Sequence, residues 1–293
     1  MTETLRIVHA GLDGAPEPPA LEALARAGFT DVIGLPGPGA DVVLAAMALA
    51  KAATADIVIA TDPVRCVAAI PDPRRGWRRL SADELGVALG EDLATTGLGG
   101  GMASTVMCSR ELGVIAAEHG LPYTLTPRAP WGEDGLGYAY DETGRYRCGN
   151  FDLDGPAAAV AVARLVARLT GRRWGVTGLL DDLARRHGLY ATSRIAYPTS
   201  DGAPIMAALR ARPPDELAGS PVARVAGLGE ALELETARHD RLVVLPAGGG
   251  LECYLEVIRP VEPKAGFDDL TEAHTAANTR LVRLTAELPA ILE

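Results

Sequence analysis

The sequence predicts an α/β fold. Near the N-terminus, short aliphatic strands alternate with helical segments, and this order is typical of parallel strands. The segments are strand 5–9, helix 19–27, strand 30–34, helix 42–53 and strand 56–60. Near the C-terminus, two β-branched and aliphatic runs flank the Gly-rich turn 248–250, which predicts two strands joined through a bend.

Helix signals divide the remainder of the chain. Ser81 and Glu84 form a capping-box pattern that starts a helix. Further helices are predicted over residues 110–119, 157–169 and 178–187. The last helix carries an apolar stripe at three- and four-residue spacing, which predicts packing on a sheet. Its members are Leu270, Ala273, Ala277, Leu281, Leu284 and Leu288.

Composition and charge limit the classes of function. The chain has 293 residues, a net charge of −10 and 48% hydrophobic residues, which is sufficient for two or three globular domains. The negative charge argues against nucleic acid or an anionic membrane surface as the main partner. No apolar run reaches the roughly 18 residues that span a bilayer. The first residues lack the features of a signal peptide, so we expect a cytoplasmic protein.

The Gly-rich turn and its strands resemble the last domain of the α-D-phosphohexomutases, the superfamily of phosphomannomutase and phosphoglucomutase. In that family the turn reads Arg-Pro-Ser-Gly-Thr-Glu-Pro-Lys and grips a phosphate. Pro246 and Gly248 keep the frame here, whereas Leu245, Ala247 and Gly249 replace the Arg, Ser and Thr. The resemblance therefore implies a retained scaffold with a weakened phosphate grip.

The resemblance covers almost the whole chain and implies two α/β domains with mixed sheets followed by a C-terminal α+β domain. Residues 1–80 resemble a shortened second domain of the family, residues 81–190 the third domain with its sugar loop, and residues 191–293 the fourth domain. The strongest local match is segment 205–222. The resemblance also implies that the family's first domain, which carries the phosphorylated serine, is absent.

The metal loop of the family is shortened. Relatives read Asp-Pro-Asp-Ala-Asp-Arg at this point, and the three carboxylates hold Mg²⁺. In this chain residues Asp62 to Arg65 read Asp-Pro-Val-Arg, so one carboxylate of three remains. Because Mg²⁺ prefers near-octahedral oxygen ligands, we expect no metal at this loop and no cofactor.

The family's sugar-specificity loop has a counterpart in Asp141 and Glu142. Adjacent carboxylates accept several hydroxyl protons, which suits a polyol ligand. An exposed acidic turn with no ligand is an equally good interpretation. Arg128 is the cation nearest to the position of the family's sugar-adjacent Lys, and an arginine can clamp a carboxylate or a phosphate.

Two functional hypotheses remain open. In the first, a repurposed biosynthetic enzyme acts on a sugar- or nucleoside-like ligand by acid–base chemistry of the isomerase or lyase type, with His9, Asp13 and Glu142 as catalytic candidates. The substrate-binding candidates are Asp62, Arg128, Asp141, Glu142, Gly248 and Gly249. In the second hypothesis the chain is a non-catalytic partner or regulator. A phosphosugar mutase is a further alternative, and homo-oligomer formation is left open.

Overall fold

The computed structural model describes residues 5–15, 18–35, 41–129, 131, 134–148 and 154–292. Packing of Cα atoms divides the chain into two units. The first unit comprises residues 1–105 and 112–180, and the second comprises residues 106–111 and 181–293. The division into three domains stays a prediction. Among the described residues, no helix is both long and apolar enough to cross a bilayer.

A five-stranded sheet begins the first unit, with the strand order β2-β1-β3-β4-β5. Its strands are β1 (Ile7–Gly11), β2 (Val32–Leu35), β3 (Ile57–Thr61), β4 (Cys66–Asp72) and β5 (Gly76–Arg79). The strands β2, β1 and β3 are parallel, as the β-α-β-α-β pattern predicts. Helices α1 (Pro18–Arg26) and α2 (Val42–Ala52) connect them. The apolar face of α2 packs on β1 and β3 and forms a core of Val, Ala and Leu side chains.

A second sheet of the first unit has the order β7-β6-β8-β9, with β7, β6 and β8 parallel. Its strands are β6 (Gly101–Thr105), β7 (Tyr123–Thr126), β8 (Leu136–Tyr140) and β9 (Tyr146–Cys148). The next helices after β5 are α3 (Ala82–Thr96), α4 (Glu111–Glu118), α5 (Gly155–Leu169) and α6 (Gly175–His187), and the boundary between the two units falls within α6 after Leu180. The capping box of α3 is confirmed, because Ser81 and Glu84 bond each other's backbone N–H at 3.0 and 2.8 Å. The mixed α/β architecture that the sequence predicts is therefore present.

The second unit contains a sheet of order β10-β15-β14-β13-β12-β11, in which every neighbouring pair is antiparallel. Its strands are β10 (Leu189–Pro198), β11 (Glu216–Leu217), β12 (Ser220–Leu228), β13 (Ala231–Thr236), β14 (Arg241–Ala247) and β15 (Gly250–Arg259). The helices α7 (Gly202–Ala211) and α8 (Phe267–Leu292) cover one face. The predicted stripe of α8 supplies part of that core.

The other face of this sheet holds buried charge. Arg241 has no exposed surface, and its Nε donates to Glu233 at 2.5 Å. The same guanidinium donates to the carbonyl oxygens of Val106 at 2.7 Å and Cys108 at 3.0 Å. Five N–H donors in a planar fork allow one arginine to make all three contacts. Arg241 thus holds the segment 106–111 on the sheet.

Arg110, which belongs to this segment, binds acidic side chains of the sheet. Its Nε and its backbone N–H donate to the two carboxylate oxygens of buried Glu256, at 2.7 and 3.0 Å. Its Nη1 donates to Glu235 at 3.0 Å. Burial alone would raise the pKa of Glu235, but hydrogen bonds from His239 and Arg110 outweigh it and lower that pKa to about 2. Arg110 of the segment thus bonds carboxylates of the sheet, and Arg241 of the sheet bonds carbonyl oxygens of the segment.

We expect Arg241→Met to lower the free energy of unfolding by about 3 kcal/mol or more. The buried carbonyl oxygens of Val106 and Cys108 would lose their donor, and Glu233 would keep only the half-exposed Arg224 as its cation. Arg194→Met is the matched control, since the Arg194–Glu252 pair is partly exposed and should contribute about 1 kcal/mol or less. Denaturant midpoints of the two variants measure the difference. Equal shifts in the two variants would contradict a special role for Arg241.

Candidate functional site

The predicted site residues of the first unit follow the carboxyl ends of parallel strands. Asp13 lies in the short 3₁₀ turn after β1, and Asp62 follows β3 directly. Arg128 lies in an exposed bend after β7, and Asp141 and Glu142 follow β8. Ligands of open α/β sheets bind at this edge. The topology thus gathers these side chains at the carboxyl edges of two sheets.

Backbone hydrogen bonds join three loops that are distant in sequence. The N–H of Cys66 donates to the carbonyl oxygen of Gly144 at 2.9 Å, and the N–H of Gly155 donates to that of Pro63 at 3.1 Å. A Cβ on Gly155 would lie 2.0 Å from the carbonyl oxygen of Asp62. The Asp62–Arg65 loop, the Asp141–Arg145 turn and the start of α5 are therefore in contact.

Arg65 links two of the predicted acids. Its guanidinium bonds Asp62 and Asp13 on either side. The N–H groups of Val64 and Arg65 also donate to Asp62, at 2.8 and 2.7 Å. Burial would raise the pKa of Asp62, but these hydrogen bonds and the positive charge hold it below its usual range. Asp13 and Asp62 thus share one cation at this edge.

Asp141 is fully buried, and its carboxylate is engaged by its own turn. Oδ1 accepts from the N–H of Thr143 at 2.9 Å, from the Thr143 hydroxyl at 2.6 Å and from the N–H of Arg145 at 3.2 Å. Oδ2 accepts from Nε of Arg145 at 2.6 Å. A carboxylate has about four acceptor positions, so the turn uses those of Asp141. The sugar-binding role of Asp141 stays a prediction.

Glu142 has a different environment. It is half-buried, and its Oε2 accepts from the hydroxyl of Thr105 at 2.6 Å. Thr105 is the last residue of β6, so the pair lies where β6 and β8 end side by side. Sequence reasoning missed Thr105, although a hydroxyl residue that ends a predicted strand was the available signal.

His9 differs from its predicted position. It lies in the middle of β1, paired with β2 and β3, and has no exposed surface. Its Nε2 lies 3.0 Å from the hydroxyl of Thr61, and its Nδ1 has no hydrogen-bond partner among the described residues. Burial lowers the pKa of His9 to about 4, because it disfavours the charged form. A direct catalytic role for His9 would need access that this packing does not provide.

The two glycines of the predicted phosphate turn belong to the second unit. Gly248 and Gly249 form a two-residue hairpin turn between Ala247 and Gly250, which pair with each other. Both are exposed, and Gly249 has a φ of 118° that favours glycine. The predicted strand–bend–strand pattern is confirmed, whereas a binding role for these glycines stays a prediction.

A cavity of about 1100 Å³ also borders the Asp62 loop in the first unit. Thr61, Asp62 and Pro63 line one side, and α1, α5 and the end of α3 line the others. Sequence reasoning missed it because the walls come from three helices whose mutual packing no local pattern predicts. Thr61, which lines this cavity, is also the residue whose hydroxyl lies 3.0 Å from Nε2 of His9.

Comparisons with known proteins agree with this arrangement. No family model matches the chain. A probable phosphomannomutase of Haemophilus influenzae is 31% identical over 244 residues, which are 76% of this chain and 47% of that protein. The chain belongs to the α-D-phosphohexomutase superfamily. It spans about half the length of this curated relative.

Solved phosphohexomutase structures share the fold. Parafusin, a phosphoglucomutase of Paramecium, has a TM-score of 0.70 at 14% identity and covers 99% of this chain, which covers 58% of parafusin. A putative phosphomannomutase of Thermus thermophilus has a TM-score of 0.66 at 16% identity, with 96% of this chain and 62% of that chain covered. A phosphoglucomutase/phosphomannomutase family protein of Burkholderia thailandensis has a TM-score of 0.67 at 15% identity, with 94% and 62% covered. At these identities the likeness concerns the fold.

Superfamily membership overturns one expectation. We expected no cofactor, whereas the phosphomannomutase relatives of this chain are Mg²⁺-dependent. The expectation of a cofactor-free protein is therefore wrong. The Asp62 loop as folded nevertheless does not fit the ion, because its carboxylate oxygens accept N–H groups and the guanidinium of Arg65 lies between Asp62 and Asp13.

We expect Gly155→Ala to lower the free energy of unfolding by about 2–3 kcal/mol, because the added methyl group would overlap the backbone of the Asp62 loop. Gly227→Ala in β12 is the control, since its Cβ would meet nothing within 4 Å. Denaturant midpoints compare the two. A loss in Gly155→Ala no larger than that in Gly227→Ala would show that the loops are not tightly joined.

The His9 pKa predicts a pH dependence of stability. Between about pH 6.5 and 4 the unfolded chain binds a proton on His9 that the folded chain excludes, so the free energy of unfolding should fall as the pH falls through this range. His9→Gln should make this dependence shallower, whatever its absolute stability. Denaturant titrations across the range measure the slope, and an unchanged slope in His9→Gln would contradict the assignment.

Proposed function

We propose that the chain binds a sugar-like ligand at the carboxyl edge of the β7-β6-β8 sheet and that Glu142 contacts the hydroxyl groups of that ligand. The observation that carries the proposal is the Glu142–Thr105 pair, a half-buried carboxylate held where parallel strands end. Carboxylates accept strong hydrogen bonds from hydroxyl groups. A relative named phosphomannomutase supports a sugar as the ligand class.

Glu142 is also the best-placed candidate for acid–base chemistry. Asp141 closes its own turn, and Asp13 and Asp62 share the guanidinium of Arg65, whereas Glu142 accepts from the neutral hydroxyl of Thr105. His9 lies within the packed sheet. A reaction of isomerase or lyase type would therefore use Glu142 as the group that takes or returns a proton.

The proposed ligand needs no phosphate grip of the usual kind. Leu245, Ala247 and Gly249 offer no charged or hydroxyl group at the turn that grips phosphate in the family. A hydrogen bond to a charged group contributes about 1.5–3 kcal/mol. Losing three such bonds removes roughly 5–9 kcal/mol, or about three to six orders of magnitude in affinity.

A phosphosugar mutase is the second candidate. The 31% identity to a probable phosphomannomutase favours it. This candidate predicts that the chain binds hexose phosphates in the presence of Mg²⁺ and interconverts the 1- and 6-phosphates of mannose. The two candidates therefore differ in the phosphate and the metal that the ligand complex requires.

We expect calorimetry to show binding of an unphosphorylated hexose or nucleoside, with and without Mg²⁺. Glu142→Gln should weaken that binding by about 10- to 100-fold, because one hydrogen bond to a charged acceptor is lost. Glu272→Gln, at an exposed position of α8, is the matched control and should leave the affinity unchanged.

Three results would count against the proposal. Mg²⁺-dependent binding of hexose phosphates alone, with turnover of mannose 1-phosphate, would establish the mutase candidate. Equal affinity in the Glu142→Gln variant and the parent chain would remove Glu142 from the site. If neither sugars, sugar phosphates nor nucleosides bind, the hypothesis of a non-catalytic partner or regulator replaces a sugar-binding site.

A further inference from the structure

A histidine and two glutamates meet between α3 and the end of α4. Glu91 belongs to α3, Glu118 ends α4, and His119 follows it. One possible ligand atom from each residue lies within 4.8 Å of the other two, and this is the one such group of three among the described residues. The cluster precedes β7, so it lies toward the amino edge of that sheet and away from Glu142.

The backbone fixes the position of His119. Gly120 has a φ of 67°, and its N–H donates to the carbonyl oxygen of Ala117 at 3.1 Å. The N–H of Leu121 donates to that of Ala116 at 2.8 Å. These two bonds form a Schellman motif, which places His119 at the C-cap position directly after the helix. The imidazole is thus presented from a defined turn rather than from a loose loop.

The separation of two of the side chains suits a transition metal. Nε2 of His119 and Oε2 of Glu91 are 3.0 Å apart. Two ligands at about 2.0–2.1 Å from a tetrahedral Zn²⁺ are roughly 3.3 Å apart. Glu91 is 9% exposed, whereas Glu118 is exposed, so an ion here would have one buried and one solvent-accessible carboxylate ligand. The negative end of the α4 dipole also favours a cation here.

We propose that Glu91, Glu118 and His119 bind one divalent transition-metal ion of the Zn²⁺ type. Imidazole with carboxylates selects such ions over Mg²⁺, which prefers oxygen ligands alone. Three protein ligands leave a fourth position for water. The ion would link α3 to the end of α4 at a site separate from the family's metal loop.

The test titrates the full chain, after treatment with EDTA, with Zn²⁺ by calorimetry and with Co²⁺ by visible absorption. We expect one ion per chain and the d–d absorption of four-coordinate Co²⁺. Glu91→Gln and His119→Gln should each weaken Zn²⁺ binding by at least about tenfold. Glu118→Gln changes an exposed side chain and keeps its size, and it should also weaken Zn²⁺ binding. His239→Gln and Asp62→Asn are controls outside the cluster and should bind as the parent does.

Three outcomes would overturn the site. If the chain binds no Zn²⁺ stoichiometrically, the cluster is only an ion pair of His119 with Glu91. If all three cluster variants bind as the parent does, the ion sits elsewhere. If Asp62→Asn abolishes binding, the ion belongs to the family's loop. None of these outcomes bears on Glu142, so the sugar-binding proposal is tested independently.

Discussion

The close approach of Gly155 to the Asp62 loop is the constraint on which the candidate site depends. Only a residue without a side chain allows the start of α5 to lie against the carbonyl oxygen of Asp62. That contact places the loop after β3 beside the start of α5, and the bond from Cys66 to Gly144 adds the turn after β8. Two sheets therefore present their carboxyl edges at one place.

Buried charge fixes the second unit in a comparable way. Arg241 and Glu233 lie on the sheet face that α8 does not cover, and the segment 106–111 fills the remaining hydrogen bonds of Arg241. Buried ion pairs are weak evidence for stability, but one that also satisfies backbone carbonyl groups specifies which segment lies on it. The carbonyl oxygens of this segment accept hydrogen bonds from Arg241, and the segment packs with the second unit, although its neighbours in sequence belong to the first.

Local patterns predicted the elements, whereas contacts between distant residues lay beyond them. Periodicity and capping placed α2 and α3 correctly, since these signals act within one or two helical turns. The burial of His9 could not be predicted, because a strand pattern does not tell whether both faces of a parallel sheet are covered. The sharing of Arg65 between Asp13 and Asp62 is likewise a contact between residues far apart in sequence. Asp141 did carry a local signal, since an Asp can bond backbone N–H groups two residues on.

The contrast between Asp141 and Glu142 follows from side-chain length and position. The short side chain of Asp141 reaches the N–H groups of its own turn, so its charge is used in closing the β8–β9 hairpin. Glu142 is one methylene longer, and it reaches Thr105 at the end of the neighbouring strand instead. A hydroxyl donor is exchanged for a ligand hydroxyl at little cost, because both make the same kind of hydrogen bond. The bond from Thr105 therefore orients the Glu142 carboxylate, and it is of the same kind as the bond that the proposed polyol would make.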